Sequence, residues 1–294
     1  MALFQEKKVE ISDNERTSIL EAVEMELTTK PTYIPPEAPM KALFYGADGT
    51  GKSGTALALL DYLDLDNGEK LVLVDLDAGN LPTILAYHRE AYENGNLVLF
   101  DPTKWKEVID GADKDVVLDY KETMMRIKAA GIWIKENYQK HKIRAVILDG
   151  LSTLLKHAEY QMRIEKNIDV TGNVVFKYWV NRNKMFLEMI GLYKSIPLDI
   201  IFIGHEDFAV SENEKEATKI MKNTNDMMFQ KVHFKVKETM DGKVQFVAKI
   251  DKSKQNILNK GREIVFGEVD TIDEETNEYL WEPTKVLELL RPAR

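Results

Sequence analysis

Gly46-Ala47-Asp48-Gly49-Thr50-Gly51-Lys52-Ser53 fits the pattern G-x-x-x-x-G-K-S, and its reading decides the rest of the chain. Three glycines within six residues free the backbone to curl, so that successive N–H groups point inward at an anion. In such a loop Gly46, Asp48, Gly49, Thr50, Gly51 and Gly54 surround a phosphate chain. Lys52 reaches the β- and γ-phosphates, and the Ser53 hydroxyl holds Mg²⁺. The flanks agree with the motif. Lys41–Tyr45 is a short apolar run that reads as a buried strand, and Gly54–Leu63 reads as a helix. Strand, glycine loop and helix in that order put the phosphates at a helix N-terminus.

Outward from the loop, composition narrows the class. The chain has 294 residues, 44% of them hydrophobic, which suits one large α/β domain with small appendages. It has no cysteine, so disulfide frameworks and cysteine-based metal sites are excluded. No apolar run approaches the length of a membrane span, and residues 1–16 lack the apolar core of a signal peptide. A cytoplasmic location is expected. The net charge of −9 is unevenly spread: residues 214–262 carry twelve Lys and Arg against six Asp and Glu. An acidic protein with one basic stretch is no general nucleic-acid coat, but it can present a local basic surface.

Residues 1–38 read as an N-terminal helix on a Pro-rich tether. Ser12–Arg16 opens the helix, and Ile19, Leu20, Val23 and Leu27 give it an apolar stripe. Four prolines between Thr28 and Pro39, among them Pro35 and Pro36, exclude regular structure there. Residues 39–266 read as the main domain and 267–294 as a C-terminal β/helix tail. Apolar runs at Lys70–Asp77, Leu97–Phe100, Arg144–Asp149 and Leu198–His205 read as buried strands. Asp115–Lys140 reads as one long helix, and 153–194 as mostly helical with a break near Asp169–Asn173. Buried strands alternating with helices predict a mainly parallel central sheet flanked by helices. From Val232 the pattern alternates with period two around Asp241-Gly242, which predicts a C-terminal antiparallel β extension. A short helix is expected near Thr284–Leu290.

Asp149 is the second fixed point. Ala145-Val-Ile-Leu-Asp149 is four apolar residues followed by a carboxylate, the Walker B pattern. A strand parallel to the P-loop strand would bring Asp149 beside Ser53, where it orients the shell of Mg²⁺. An intervening strand carries Asp75 and Asp77 toward the same edge. Both compete for the role of aligning the attacking water and accepting its proton, and Asp77 lies closer to the ligand-binding end. His205 and Glu206 end a further strand, where a polar side chain can touch the γ-phosphate.

These motifs together resemble RecA-like recombinase ATPases, especially the small single-domain RecA-like ATPases of bacteriophages, over residues 38–266. Residues 70–84, KLVLVDLDAGNLPTI, look like the family strand whose acid is the catalytic base, which implies that role for Asp77. The family usually has Glu there. Residues 145–154, AVILDGLSTL, are similar to its Walker B strand, and residues 201–206, IFIGHE, to its sensor strand, where recombinases usually have Gln in place of His205. The resemblance implies an ATPase that uses ATP and Mg²⁺ and assembles into a ring or filament. It implies action on single-stranded DNA in recombination, annealing or replication, within a bacterial host cell if the chain is phage-encoded. The segment 207–230, with Lys215, Lys219 and Lys222, falls where the family has a mobile DNA-binding loop, and 153–180 covers the other DNA loop. Lys252-Ser-Lys254 resembles the Lys-x-Lys pair that reaches a neighbour's γ-phosphate. No base-reading motif separates ATP from GTP. A second reading is a nucleotide-dependent assembly switch that binds a protein partner.

Overall fold

β1 (Lys41–Gly46) has six residues and all are buried, because a strand with neighbours on both edges and helices on both faces meets no water. The computed structural model describes residues 38–110, 113–169, 171–205, 227–240, 242–270 and 279–291, together with position 21. The N-terminal helix, most of its tether, Glu206, Lys215, Lys219 and Lys222 lie outside the described residues. The remaining strands are β2 (Lys70–Asp75), β3 (Leu97–Phe100), β4 (Trp105–Asp110), β5 (Asp113–Leu118), β6 (Ile143–Asp149), β7 (Asp199–His205), β8 (Gln230–Glu238), β9 (Lys243–Ser253), β10 (Glu263–Asp270) and β11 (Tyr279–Trp281). The α-helices are α1 (Lys52–Leu57), α2 (Leu81–Tyr87), α3 (Arg89–Glu93), α4 (Tyr120–Asn137), α5 (Leu151–Glu165), α6 (Phe176–Lys194) and α7 (Thr284–Leu290). A 3₁₀ turn, Ala58–Tyr62, continues α1.

Among the described residues the main sheet runs β11-β10-β9-β8-β1-β7-β6-β2-β3. β1 is parallel to β7 and β8, and the parallel pairing continues through β6 and β2 to β3. β9, β10 and β11 add antiparallel strands beyond β8. This is the α/β class expected from the sequence, a mainly parallel sheet with an antiparallel C-terminal extension. Alternation along the strands divides the core between the two faces. Ala42 and Phe44 of β1 and Ile201 and Ile203 of β7 face one cluster, closed by Leu57, Phe266 and Leu287. Leu43 of β1 and Ile200 and Phe202 of β7 face the other, closed by Ile127 of α4, Leu154 of α5 and Ile190 of α6.

The structure corrects four local expectations. Asp115–Lys140 is not one helix: β4 and β5 form a separate antiparallel ribbon, and α4 starts only at Tyr120. The β-branched Val116-Val117 favours the strand, and Asp119 caps α4 by accepting from Glu122 N at 3.1 Å. β2 stops at Asp75 rather than Asp77. β8 belongs to both halves of the sheet, parallel to β1 on one edge and antiparallel to β9 on the other, so the antiparallel region begins one strand later than expected. β9 runs to Ser253, so Lys252 is a strand residue. The expected division between 266 and 267 falls inside β10. Among the described residues no helix is long and apolar enough to cross a membrane.

Candidate functional site

The loop between β1 and α1 is shaped by what passes behind it. At Gly46 φ is +153°, and a Cβ there would lie 2.2 Å from the backbone oxygen of Phe234 in β8, so only glycine lets the two chains pass. Gly51, at φ +86°, opens α1. A Cβ on it would lie 2.7 Å from the Trp281 ring of β11. The C-terminal extension thus packs directly against the loop. Lys52 is 5% exposed, not an open-loop lysine. Its Nζ donates to Gly46 O at 2.9 Å and Ala47 O at 2.6 Å, while Thr50 Oγ1 donates to Ala47 O at 2.8 Å. Phosphate oxygens offer this ammonium stronger, charge-assisted acceptors than the loop carbonyls do.

β6 delivers Asp149 to the same point. Ser53 Oγ donates to Asp149 Oδ2 at 2.7 Å, and Asn80 Nδ2 donates to the same oxygen at 3.0 Å. Burial pushes the Asp149 carboxyl above the usual carboxylate range, against the pull of the Asn80 and Ser53 hydrogen bonds. Beside it, Asp75 Oδ2 accepts from Asn80 N at 3.0 Å, while its buried Oδ1 has no hydrogen-bond partner among the described residues. Hydroxyl and carboxylate oxygens are the donors Mg²⁺ takes, and a divalent cation would offset the burial of Asp149. Among the described residues no group of three or more His, Cys, Asp or Glu is placed to hold a metal by itself. The residues present therefore fit a cation that Ser53 and Asp149 hold from one side and phosphate and water from the other.

Asp77 lies two residues past the end of β2, at the mouth of the site. His205 Nε2, at the end of β7, is 3.1 Å from Asp77 Oδ2. Asp48 Oδ1 stands 2.5 Å from His205 Nδ1, an ion-pair distance without hydrogen-bond geometry. Thr153 Oγ1, in the first turn of α5, donates to Asp77 Oδ1. Asp48, Lys52, Ser53, Asp77, Asp149 and His205 all line one cavity of about 680 Å³, which extends past the loop to Tyr87, His88 and Trp281. Asp75 does not line it, so of the two competing carboxylates only Asp77 faces the space a nucleotide would fill.

Lys252 and Lys254 stand elsewhere. Lys252 pairs with Lys231, which is level with Leu43, and Lys254 N donates to Phe229 O at 2.8 Å. Both are near the beginning of β1, whereas the loop follows its end. Phe234 is 0% exposed and belongs to the core. Three residues of the site escape sequence reasoning: Asn80, Thr153 and Trp281. For Asn80 a signal exists, since Asn-Leu-Pro is helix-start chemistry and Asn80 is the N-cap of α2. Thr153 and Trp281 reach the site only through the tertiary fold.

The structure of a KaiC-like protein from the hyperthermophilic archaeon Pyrococcus horikoshii is similar to this chain at 15% identity with a TM-score of 0.45, covering 79% of this chain and 86% of that one. No curated protein matches the sequence. The profile of the AAA domain family AAA_24 matches residues 38–277, the span that holds β1, the phosphate loop, Asp149 and the cavity lining apart from Trp281 and Pro283, and the chain, a P-loop ATPase, belongs to that family.

Proposed function

We propose that this ATPase binds MgATP in the cavity, hydrolyses it with Asp77 as general base, and works as an oligomer on single-stranded DNA. The observation that carries the catalytic part is the grouping of Lys52, Ser53, Asp149 and Asp77 around one cavity. Lys52 holds the β- and γ-phosphates, and Ser53 and Asp149 hold Mg²⁺, which screens phosphate charge when bound. Asp77 aligns the attacking water and takes its proton, and His205, between Asp48 and Asp77, senses the γ-phosphate.

The charge of the cavity supports a shared site. Among the described residues that line it, Lys52 is the only Lys or Arg, against the four carboxylates of Asp48, Asp61, Asp77 and Asp149. Charge building on a γ-phosphate calls for more positive charge than that. In this reading a neighbouring subunit supplies it through Lys252 and Lys254, which lie at the opposite end of the sheet from their own loop. A ring and a filament both satisfy that geometry.

The nucleic-acid part is supported by the facing ends of α5 and α6. Lys166 and Lys177 stand 5.8 and 5.1 Å from the Tyr178 ring, and Arg182 stands 4.3 Å from Trp179. Phe176 beside them is 82% exposed. Tyr178 and Trp179 are half-buried, so Phe176 is the ring open to an unpaired base, with the cations beside it. Lys215, Lys219 and Lys222 are the further contacts in this reading, in recombination, annealing or replication of the phage type. The test is steady-state ATP turnover with no DNA, with single-stranded DNA and with duplex. Turnover is expected to rise with single-stranded DNA in a salt-sensitive way. Equal turnover in all three, with no DNA bound, would favour the assembly switch with a protein partner.

A further inference from the structure

Asp77 is held by more than its own strand. Past the end of β2 the chain turns through Ala78, at φ +52°, and nothing in that turn fixes a side-chain carboxylate. Two other elements do so. His205 of β7 approaches Oδ2, and Thr153 of α5 donates to Oδ1 from 76 residues away. The approach exists because residue 150 is glycine. At φ +102° Gly150 opens α5, and a Cβ there would lie 2.9 Å from Asp77 Oδ1 and 2.9 Å from Leu76 Cβ. The stretch that supplies Asp149 therefore also makes room for Asp77 and, one turn on, grips it.

Thr153 is not among the residues lining the cavity. Whatever it does for hydrolysis, it does through Asp77. A threonine in the first turn of a helix has local backbone groups to bond, and this one bonds a carboxylate on another element instead. An ionised carboxylate has about four lone-pair sites. With one occupied by Thr153 and one facing His205, the rest can accept from a water inside the cavity.

The geometry points to Thr153 as a positioning residue for hydrolysis, which fixes the rotation of the Asp77 carboxylate so that its free lone pairs face the attacking water. The inference rests on the reading of Asp77 as base. Thr153→Val keeps the shape and removes the donor. It should lower kcat by roughly ten- to thirtyfold, since small misplacements of a reacting group cost up to about a hundredfold. The KM for ATP and the unfolding midpoint should hardly move. Thr153→Ser returns the hydroxyl and should recover most of kcat. In an Asp77→Asn background, Thr153→Val should cost nothing further, because the two act as one unit. A tie that only stabilises the fold would lower the midpoint and leave kcat alone. Wild-type kcat in Thr153→Val beside a dead Asp77→Asn, or a Ser variant as slow as Val, would overturn this inference alone. Full turnover in Asp77→Asn would overturn the base assignment and this inference with it.

Discussion

The two ends of β1 carry polar clusters of similar size, but they are organised differently. At the end where the strand begins, charges alternate in sign and close on one another. Lys41 Nζ donates to Ile196 O and, at 2.6 Å, to Leu198 O. Asp199 accepts from Met40 N at 2.7 Å and from Arg291 Nη2 at 3.1 Å. At the end where the strand finishes, among the described residues, four carboxylates and one lysine face an open cavity, and a buried oxygen of Asp75 has no hydrogen-bond partner. A closed network adds to stability, because Lys41 Nζ, Met40 N and both oxygens of Asp199 meet partners inside the fold. An open one with excess charge of one sign is completed from outside, by a cation and by whatever the loop cradles. The comparison locates the fastening at one edge of the sheet and the chemistry at the other.

The sharpest way to break that division is to remove one lysine from the open end. Lys52→Ala should lower ATP turnover by at least roughly a hundredfold, the scale of losing one group that stabilises the transition state. It should shift the unfolding midpoint by no more than about 4 °C, the scale of ~1 kcal/mol in a domain of this size, because, of the two carbonyls it leaves, one belongs to the exposed Ala47. Wild-type turnover in this variant would sink the assignment of the whole site.

The mirror experiment is Asp199→Ala at the closed end. It takes this acceptor from Met40 N and the partly buried Arg291 guanidinium, and leaves Lys41 without the carboxylate that offsets Lys194. The cost should be about 1–3 kcal/mol, or roughly 2–10 °C in the midpoint for a domain of this size. Turnover per folded molecule should stay within about twofold of wild type, well short of the loss from removing a transition-state group. If turnover falls as far as stability does, the two ends are coupled and the division is wrong.

The open end was far more legible in the sequence than the closed one. The P-loop and the Asp149 strand announce themselves because each is one continuous stretch whose residues act together. Asp77 was legible as the carboxylate nearer the ligand-binding end, in competition with Asp75; that it lines the cavity while Asp75 does not, and that Thr153 bonds it, has no local mark. The closed end had no mark at all. Lys41 reads as the polar start of a strand, and Arg291 as a charge after a helix. Only the tertiary fold, which brings the residue after α7 to Asp199 at the start of β7, makes Arg291 part of the cluster. The parallel pairing of β8 with β1 was hidden for a related reason, since period-two alternation looks the same whichever way the neighbouring strand runs. The β4–β5 ribbon was lost to a long charged stretch that suits a helix nearly as well.

The most gradual expected effect, a slope of at most about 1.4 kcal/mol per pH unit, also reports on the closed end without a change of shape. Lys41 is 4% exposed, and burial lowers its ammonium from the usual 10.5 to about 7, with Asp199 working against the shift and Lys194 adding to it. Its folded pKa therefore lies below its unfolded one. Below about pH 7 both states carry the proton and stability is flat in this group. Between about 7 and 10.5 the unfolded chain holds more protons than the folded one, so stability rises with pH, by at most about 1.4 kcal/mol per unit. Other shifted groups leave most of that window clear. Burial lowers His88 and His157 below 6.5, so their contribution falls at more acid pH. Burial raises Tyr62, Tyr120 and Tyr193 above 10, so theirs falls at more alkaline pH. Denaturant unfolding followed from about pH 7 to 9.5 should show the rise, and Lys41→Met should flatten it whatever it does to absolute stability. A wild-type curve already flat across that range would mean that Lys41 stays charged in the folded chain. The closed end would then be held by an ammonium on its two carbonyls, and the alternation of charge there would be a full ion network rather than one with a neutral amine at its centre.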